Sequence, residues 1–139
     1  MTALGSSLPL ERLREAVRSG PPLRLAVLFG SRVSGRPRTE SDLDVGILPL
    51  HADVSLREEL DLASALSAAA GVEVDLVRLD HDDPTLGREV ALHGLCLYEG
   101  VPGAFAAYRA TAISRWLEFE ETFGPYRAKF LARLARTRP

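Results

Sequence analysis

The chain has 139 residues, the length of a single domain. Its 17 basic and 19 acidic residues leave a net charge of −2, which argues against a protein that coats nucleic acid. The single cysteine, Cys96, excludes an intramolecular disulfide and a cysteine-based zinc site. The sequence lacks an apolar run of the roughly 20 residues that a membrane helix needs, and its start lacks the pattern of a signal peptide. We therefore expect a cytoplasmic protein.

The first third of the chain predicts a helix, a strand, a loop and a second strand. Apolar spacing favours a helix over residues 8–19, and the apolar run 23–29 is typical of a buried strand that ends at Gly30. The polar residues 31–41 predict a loop that begins with a helical turn. Alternation of Asp with apolar residues over 42–47 then indicates a strand with two different faces.

The rest of the chain adds helices and two more strands. A helix is predicted over 55–70, because Ser55 and Glu58 have the spacing of a capping box and Gly71 supplies a stop. Further elements are expected in the order strand 72–79, helix 84–93, strand 95–98 and helices from 102 onward, broken or kinked at Gly124-Pro125. The fold class is therefore α/β (α+β), a small mixed sheet flanked by helices, with a C-terminal helical segment.

One constellation carries chemistry: Gly-Ser, ten residues, then Asp-x-Asp. Gly30 lets the backbone pass close to a ligand, and a helical turn beginning at Ser31 would offer free N–H groups to a phosphate. Asp42 and Asp44 project from the same face of their strand, about 6.6 Å apart at ~3.3 Å per residue. Two carboxylates this close suit a hard divalent cation such as Mg²⁺.

Asp75 lies mid-strand in the segment VEVDLVRL, where an unpaired acid is unexpected. If this strand neighbours the strand of Asp42 and Asp44, three acids converge on one or two metal ions. Such a set serves phosphoryl or nucleotidyl transfer, in which paired metals clamp the attacking and leaving oxygens.

The segments LAVLFGS, SDLDVGIL, VEVDLV and GLCLYEG, followed by aromatic-rich helices, resemble the minimal nucleotidyltransferases (MNT family) of the polymerase β-type nucleotidyltransferase superfamily. The resemblance implies a nucleotidyltransferase domain at residues 1–100 and a C-terminal helical extension, 101–139, packed on it. It also implies that Gly30 and Ser31 bind the nucleotide triphosphate, that Asp42 and Asp44 hold two Mg²⁺ ions, and that Asp75 orients or activates the acceptor hydroxyl.

Other candidate residues have competing interpretations. Arg32 and Arg36 lie between the Gly-Ser turn and the acids, where they either contact triphosphate oxygens or are solvated loop residues. The aromatic residues of the last helices indicate either a core or helix-packing face or a partner surface.

The resemblance leads to the main hypothesis, an enzyme that transfers AMP from ATP to a hydroxyl, that of a tyrosine, on a HEPN toxin and thereby acts as its antitoxin. Two alternatives stay open: transfer to a small-molecule hydroxyl, and a non-catalytic antitoxin that covers its partner. Homodimer and hetero-oligomer with the toxin both remain open as assemblies.

Overall fold

The computed structural model describes residues 8–30 and 43–136. Its elements, in chain order, are α1 (Leu10–Ser19), β1 (Leu23–Phe29), β2 (Leu43–Pro49), α2 (Leu56–Ala70), β3 (Val74–Arg78), α3 (Pro84–His93), β4 (Leu95–Glu99) and α4 (Ala104–Arg136). The mixed α/β architecture expected from the sequence is confirmed. None of the described helices is long and apolar enough to cross a membrane.

The four strands form one mixed sheet in the order β3-β2-β1-β4. β1 pairs antiparallel with both β2 and β4, whereas β2 pairs parallel with β3. The parallel pair requires a crossover, and α2 supplies it. The strand of Asp75 is therefore the direct neighbour of the strand of Asp44, the arrangement on which the three-acid hypothesis depends.

One face of the sheet, here called the α1/α2 face, carries the larger part of the core. Leu43, Val45 and Ile47 of β2 point to this face and are fully buried. They pack with buried residues of the two helices, Leu13 and Val17 of α1 and Leu62 and Leu66 of α2. α2 begins with the predicted capping box of Ser55 and Glu58 and ends at Gly71 in the left-handed conformation, so both of its ends are defined locally.

The opposite face, here called the α3/α4 face, is covered over β1 and β4. Val27 of β1 and Val90 of α3 are fully buried in its core, together with Phe29, Leu79 and Ala104. α3 and α4 pack closely where Gly87 meets Ala112, since a Cβ at position 87 would lie 3.3 Å from the Ala112 Cβ. Asp44 and Asp75, near the start of β2 and β3, are not fully covered by these helices: Asp44 is partly buried and Asp75 is exposed.

β3 is shorter than the predicted strand 72–79, and side-chain bonding explains its start. The Val74 N–H donates to the Ser67 hydroxyl at 2.9 Å, so this donor bonds to α2 rather than to a strand partner. At the other end the Leu79 N–H still reaches the Ile47 carbonyl, but the chain turns away there. The predicted faces are confirmed, with Val74 on the core side.

The sequence predicted a break or a kink at Gly124-Pro125, and the break is wrong, because α4 continues through Pro125 as one helix. Proline in a helix interior removes one backbone hydrogen bond and costs about 3 kcal/mol, so helical neighbours must hold the segment. Arg127 donates to Glu120 at 2.9 Å and spans the site of the missing bond. Rings also stack along the preceding turn, with Phe119 and Phe123 centroids 5.0 Å apart.

The second half of α4 projects from the body. Every residue from Pro125 to Arg136 is exposed, including Tyr126 at 71% and Phe130 at 57%. The interpretation of the aromatic residues as core is therefore wrong for Phe123, Tyr126 and Phe130, which are all exposed. Their exposure favours the other interpretation, a partner surface.

Candidate functional site at the acidic edge of the sheet

Three residues in register form a row across β1, β2 and β3, at the end of the sheet where β1 ends and β2 and β3 begin. Phe29 of β1 is in register with Asp44 of β2, and Asp44 is in register with Asp75 of β3. Neighbouring strands lie about 4.8 Å apart, and residues in register point to the same face. The structure thus brings two of the predicted acids side by side on the α3/α4 face, next to a buried aromatic ring.

The two carboxylates differ in their surroundings. Asp44 is partly buried and makes interactions of its own, whereas Asp75 is exposed. Like charges this close repel, and a shared cation removes the cost. Asp44 is therefore the more enclosed of the two carboxylates, and Asp75 is the one more open to an arriving molecule.

Gly30 lies directly against the Asp44 carboxylate. It has φ +96°, a conformation that favours glycine, and a Cβ at this position would lie 3.0 Å from the Asp44 Cγ and would overlap its Oδ2. Any other residue would displace the carboxylate. The family resemblance implies that Gly30 binds the nucleotide; the structure adds a second role, clearance for an acidic side chain.

The remaining predicted site residues lie outside the described part of the chain. These are Ser31, Arg32, Arg36 and Asp42. Within residues 8–30 and 43–136, no group of three or more His, Cys, Asp or Glu side chains could hold a metal ion. Asp44 and Asp75 are the described members of the predicted set of three acids.

Sequence reasoning missed one feature beside the acids. Gly46 follows Asp44 on the same face, and a Cβ there would lie 2.6 Å from a Leu79 methyl group. Leu79 thus closes over the strand and forms an apolar wall next to the acidic row. A glycine inside a strand pattern is the signal that could have indicated this close approach.

Groups with shifted pKa values lie away from the acidic row. Hydrogen bonds from Arg78 lower the pKa of Asp80, and burial raises the pKa of Cys96 and of Tyr108. Arg78 also donates to Glu59 at 2.6 Å, so it links α2 to the end of β3. These contacts stabilise the body rather than the candidate site.

The arrangement combines a mixed sheet, a glycine of positive φ at the end of β1, and in-register acids on β2 and β3, which is the framework of a nucleotidyltransferase. The sequence profile of the family described as polymerase beta, nucleotidyltransferase matches residues 11–101. The chain belongs to this family, as the sequence resemblance implied. No curated protein sequence matches it.

Solved structures of similar fold come from toxin–antitoxin complexes. One, described as a toxin-antitoxin with AMP-PNP, is 23% identical, has a TM-score of 0.74 and aligns over 88% of this chain and 98% of its own. Another contains a tri-AMPylated HEPN toxin from Shewanella oneidensis in complex with its MNT antitoxin; it is 21% identical, with a TM-score of 0.70 and coverages of 88% and 96%. A MntA-HepT complex is similar at 21% identity and a TM-score of 0.71, with coverages of 88% and 97%. At these identities the likeness establishes the fold.

Proposed function

We propose that this nucleotidyltransferase transfers AMP from ATP to a tyrosine hydroxyl of a HEPN-type partner protein in the cytoplasm, and so acts as an antitoxin. The observation that carries the proposal is the register of Asp44 with Asp75, next to Gly30, which lies against the Asp44 carboxylate. This register places two carboxylates on one open face of the sheet, where a bound cation would offset their repulsion and hold a phosphate.

The chemistry of the donor set fits Mg²⁺, since the described ligands are carboxylate oxygens, which hard cations prefer. Asp44 would hold the ion together with Asp42, and two ions complete the proposed site. Bound Mg²⁺ supplies charge neutralisation and polarises the phosphate oxygens. Gly30 and Ser31, with Arg32 and Arg36, are proposed to hold the triphosphate.

In the proposed transfer, the acceptor oxygen forms a bond to the α-phosphorus of ATP. The bond from that phosphorus to the oxygen bridging to the β-phosphate breaks, and pyrophosphate leaves. Asp75 is exposed and can meet the incoming hydroxyl, accept its hydrogen bond and take up its proton. Asp44, half-buried behind Gly30, stays fixed while the acceptor approaches.

Two features support a protein as the acceptor. The family profile covers residues 11–101, and the single helix α4 makes up most of the chain after residue 101. We propose residues 1–100 as the catalytic domain and 101–139 as an extension, whose described part is the projecting helix α4 with exposed aromatic side chains that suit a protein surface. The similar MNT antitoxin structure contains an AMPylated HEPN toxin, which supports the same class of acceptor here.

The test uses purified protein, Mg²⁺ and ATP labelled on the α-phosphate, with and without the protein encoded beside it. We expect label on the neighbour in a denaturing gel, lost by at least about 100-fold with Asp44→Asn. Asp53→Asn is the matched control, because Asp53 is an exposed acid in the turn that follows β2. Its activity should equal that of the unaltered protein.

The alternatives give different results. Label on hydroxylated small molecules without any protein would favour a small-molecule acceptor. An Asp44→Asn variant that binds and neutralises the neighbour in cells as well as the unaltered chain would favour a non-catalytic antitoxin. Undiminished labelling by Asp44→Asn would contradict the proposed site.

A further inference from the structure

The projecting half of α4 has an apolar stripe that continues from its packed half. At 100° per residue, Phe119, Phe123, Tyr126, Phe130 and Leu134 fall within about 60° of Phe123, on the same side as Ala112, which packs on α3. We call these five residues the distal stripe. Tyr126 and Phe130 are more than half exposed, although aromatic side chains bury about 150–250 Å² each when they are covered.

Charges along residues 117–136 of the same helix are divided by sign. Three acids, Glu118, Glu120 and Glu121, lie before Pro125 in this segment and four bases follow it, whereas the packed part of the helix carries Arg109 and Arg115. The bases are Arg127, Lys129, Arg133 and Arg136. A helix end that binds an anionic membrane would be basic along its whole polar face, whereas residues 117–124 carry acids alone.

From this division we infer that α4 pairs antiparallel with α4 of a second copy of the chain, about a two-fold axis between Gly124 and Pro125. In that register Phe119 faces Phe130 of the other copy, and Phe123 faces Tyr126. The acidic segment of each helix then lies beside the basic end of the other. One patch meets itself, as a closed two-fold interface requires.

A hollow near the packed half of α4 carries charges that the basic end can contact. It measures about 160 Å³ and lies where α3 meets α4, with Tyr108 and Ala112 on its apolar side and Asp82, Asp83 and Arg115 also lining it. In the antiparallel register Arg133 of the second copy lies opposite Trp116, one residue from Arg115, which contacts Asp82 at 3.5 Å. The basic end of one helix therefore lies beside the exposed Arg115–Asp82 ion pair of the other chain and brings a second cation to Asp82.

The area is sufficient for a stable pair. The exposed parts of the distal stripe and of the flanking Leu131 amount to roughly 600 Å² per chain, or about 1,200 Å² for two, which is the lower bound of specific interfaces. The first part of the stripe is held before association, since ring contacts join Trp116 to Phe119 at 5.5 Å and Phe119 to Phe123 at 5.0 Å. For these two stripe residues, little side-chain freedom remains to be lost.

The first experiment measures the mass of the full chain by light scattering and sedimentation over a range of micromolar concentrations. We expect twice the chain mass of 15.1 kDa, falling to one chain on dilution. The double variant Phe123→Ser/Phe130→Ser should weaken association by at least about tenfold and leave the far-ultraviolet circular dichroism of the body unchanged. A single-chain mass at every concentration, or a dimer that the double variant leaves intact, would overturn the inference.

Charge exchange tests the contact between the basic end and Asp82. Arg133→Glu and Asp82→Arg should each weaken the dimer several-fold, and the two changes together in one chain should restore it. Arg57→Glu is the matched control, since Arg57 is an exposed arginine on α2, away from α4. Failure of the pair to restore association would contradict this register.

Disulfide trapping tests the direction of pairing. In a Cys96→Ser background, Phe119→Cys and Phe130→Cys chains are oxidised with glutathione disulfide, separately and mixed. The antiparallel register predicts a linked dimer in the mixture alone. Linkage within each separate sample would indicate parallel pairing and contradict the inference. The distal stripe is assigned to the neighbouring protein instead if the stripe variants lose binding to that protein and the unaltered chain shows no self-association. That result would overturn the inference.

Discussion

The body of the molecule and the projecting half of α4 contain similar apolar residues in opposite environments. Leu66 of α2 is fully buried between helix and sheet, whereas Phe130 of α4 is 57% exposed. Both lie on apolar stripes of helical period, so periodicity alone does not distinguish them. The difference shows that an amphipathic pattern specifies a face to be covered but not the molecule that covers it.

The largest expected effect is a difference in the free energy of unfolding between a substitution in the core and one on the projecting helix. Leu66→Ala should lower the free energy of unfolding by about 2–5 kcal/mol, because it opens a cavity in the core. Phe130→Ala should change it by less than about 0.5 kcal/mol, measured in the monomer at low protein concentration, because the ring loses little cover there. Urea denaturation of both variants is the measurement. A loss of several kcal/mol for Phe130→Ala would mean that the helix packs on its own body.

The acidic edge of the sheet is the second region of the body that a substitution can probe. Gly30→Ala should cost about 1–3 kcal/mol, since the residue must keep a positive φ, and it should also displace the Asp44 carboxylate. Activity is therefore expected to fall more steeply than stability. Gly71→Ala is the control, because Gly71 also has a positive φ but meets nothing within 4 Å. Equal activity in the two variants would remove Gly30 from the site.

The sequence predicts features that depend on local signals better than features that depend on contacts formed during folding. The bounds of β1 and α3, the capping box of α2 and the neighbouring strands of Asp44 and Asp75 followed from local signals and from the family resemblance. The unbroken helix at Pro125 did not, because helix continuation there depends on neighbours such as Arg127 and Glu120. Close approaches such as that of Gly30 to Asp44 exist only once the chain has folded.

A substitution at Pro125 tests how stable the projecting half of α4 is relative to the rest of the chain. Pro125→Ala restores a backbone donor and should stabilise the helix locally by about 1–3 kcal/mol. The gain should be visible as slower amide hydrogen exchange over residues 126–136, with little change in the unfolding of the body. Equal exchange rates in both proteins would show that the helix is already held there by an outside contact.

The smallest expected effect concerns an ion pair of the body, and its sign follows from the shifted pKa. Arg78 donates to Asp80 at 2.8 Å and lowers the pKa of that carboxyl, so the folded state favours the charged form. The contribution is present above the ordinary aspartate pKa of about 3.9 and is lost as the pH falls through the lower folded value. Because Asp80 is partly exposed, Asp80→Asn should cost at most about 1 kcal/mol at pH 7. The difference between the two proteins should vanish once the pH has fallen below the lowered folded pKa of Asp80, and a gap that persists in strong acid would assign the loss to packing rather than to charge.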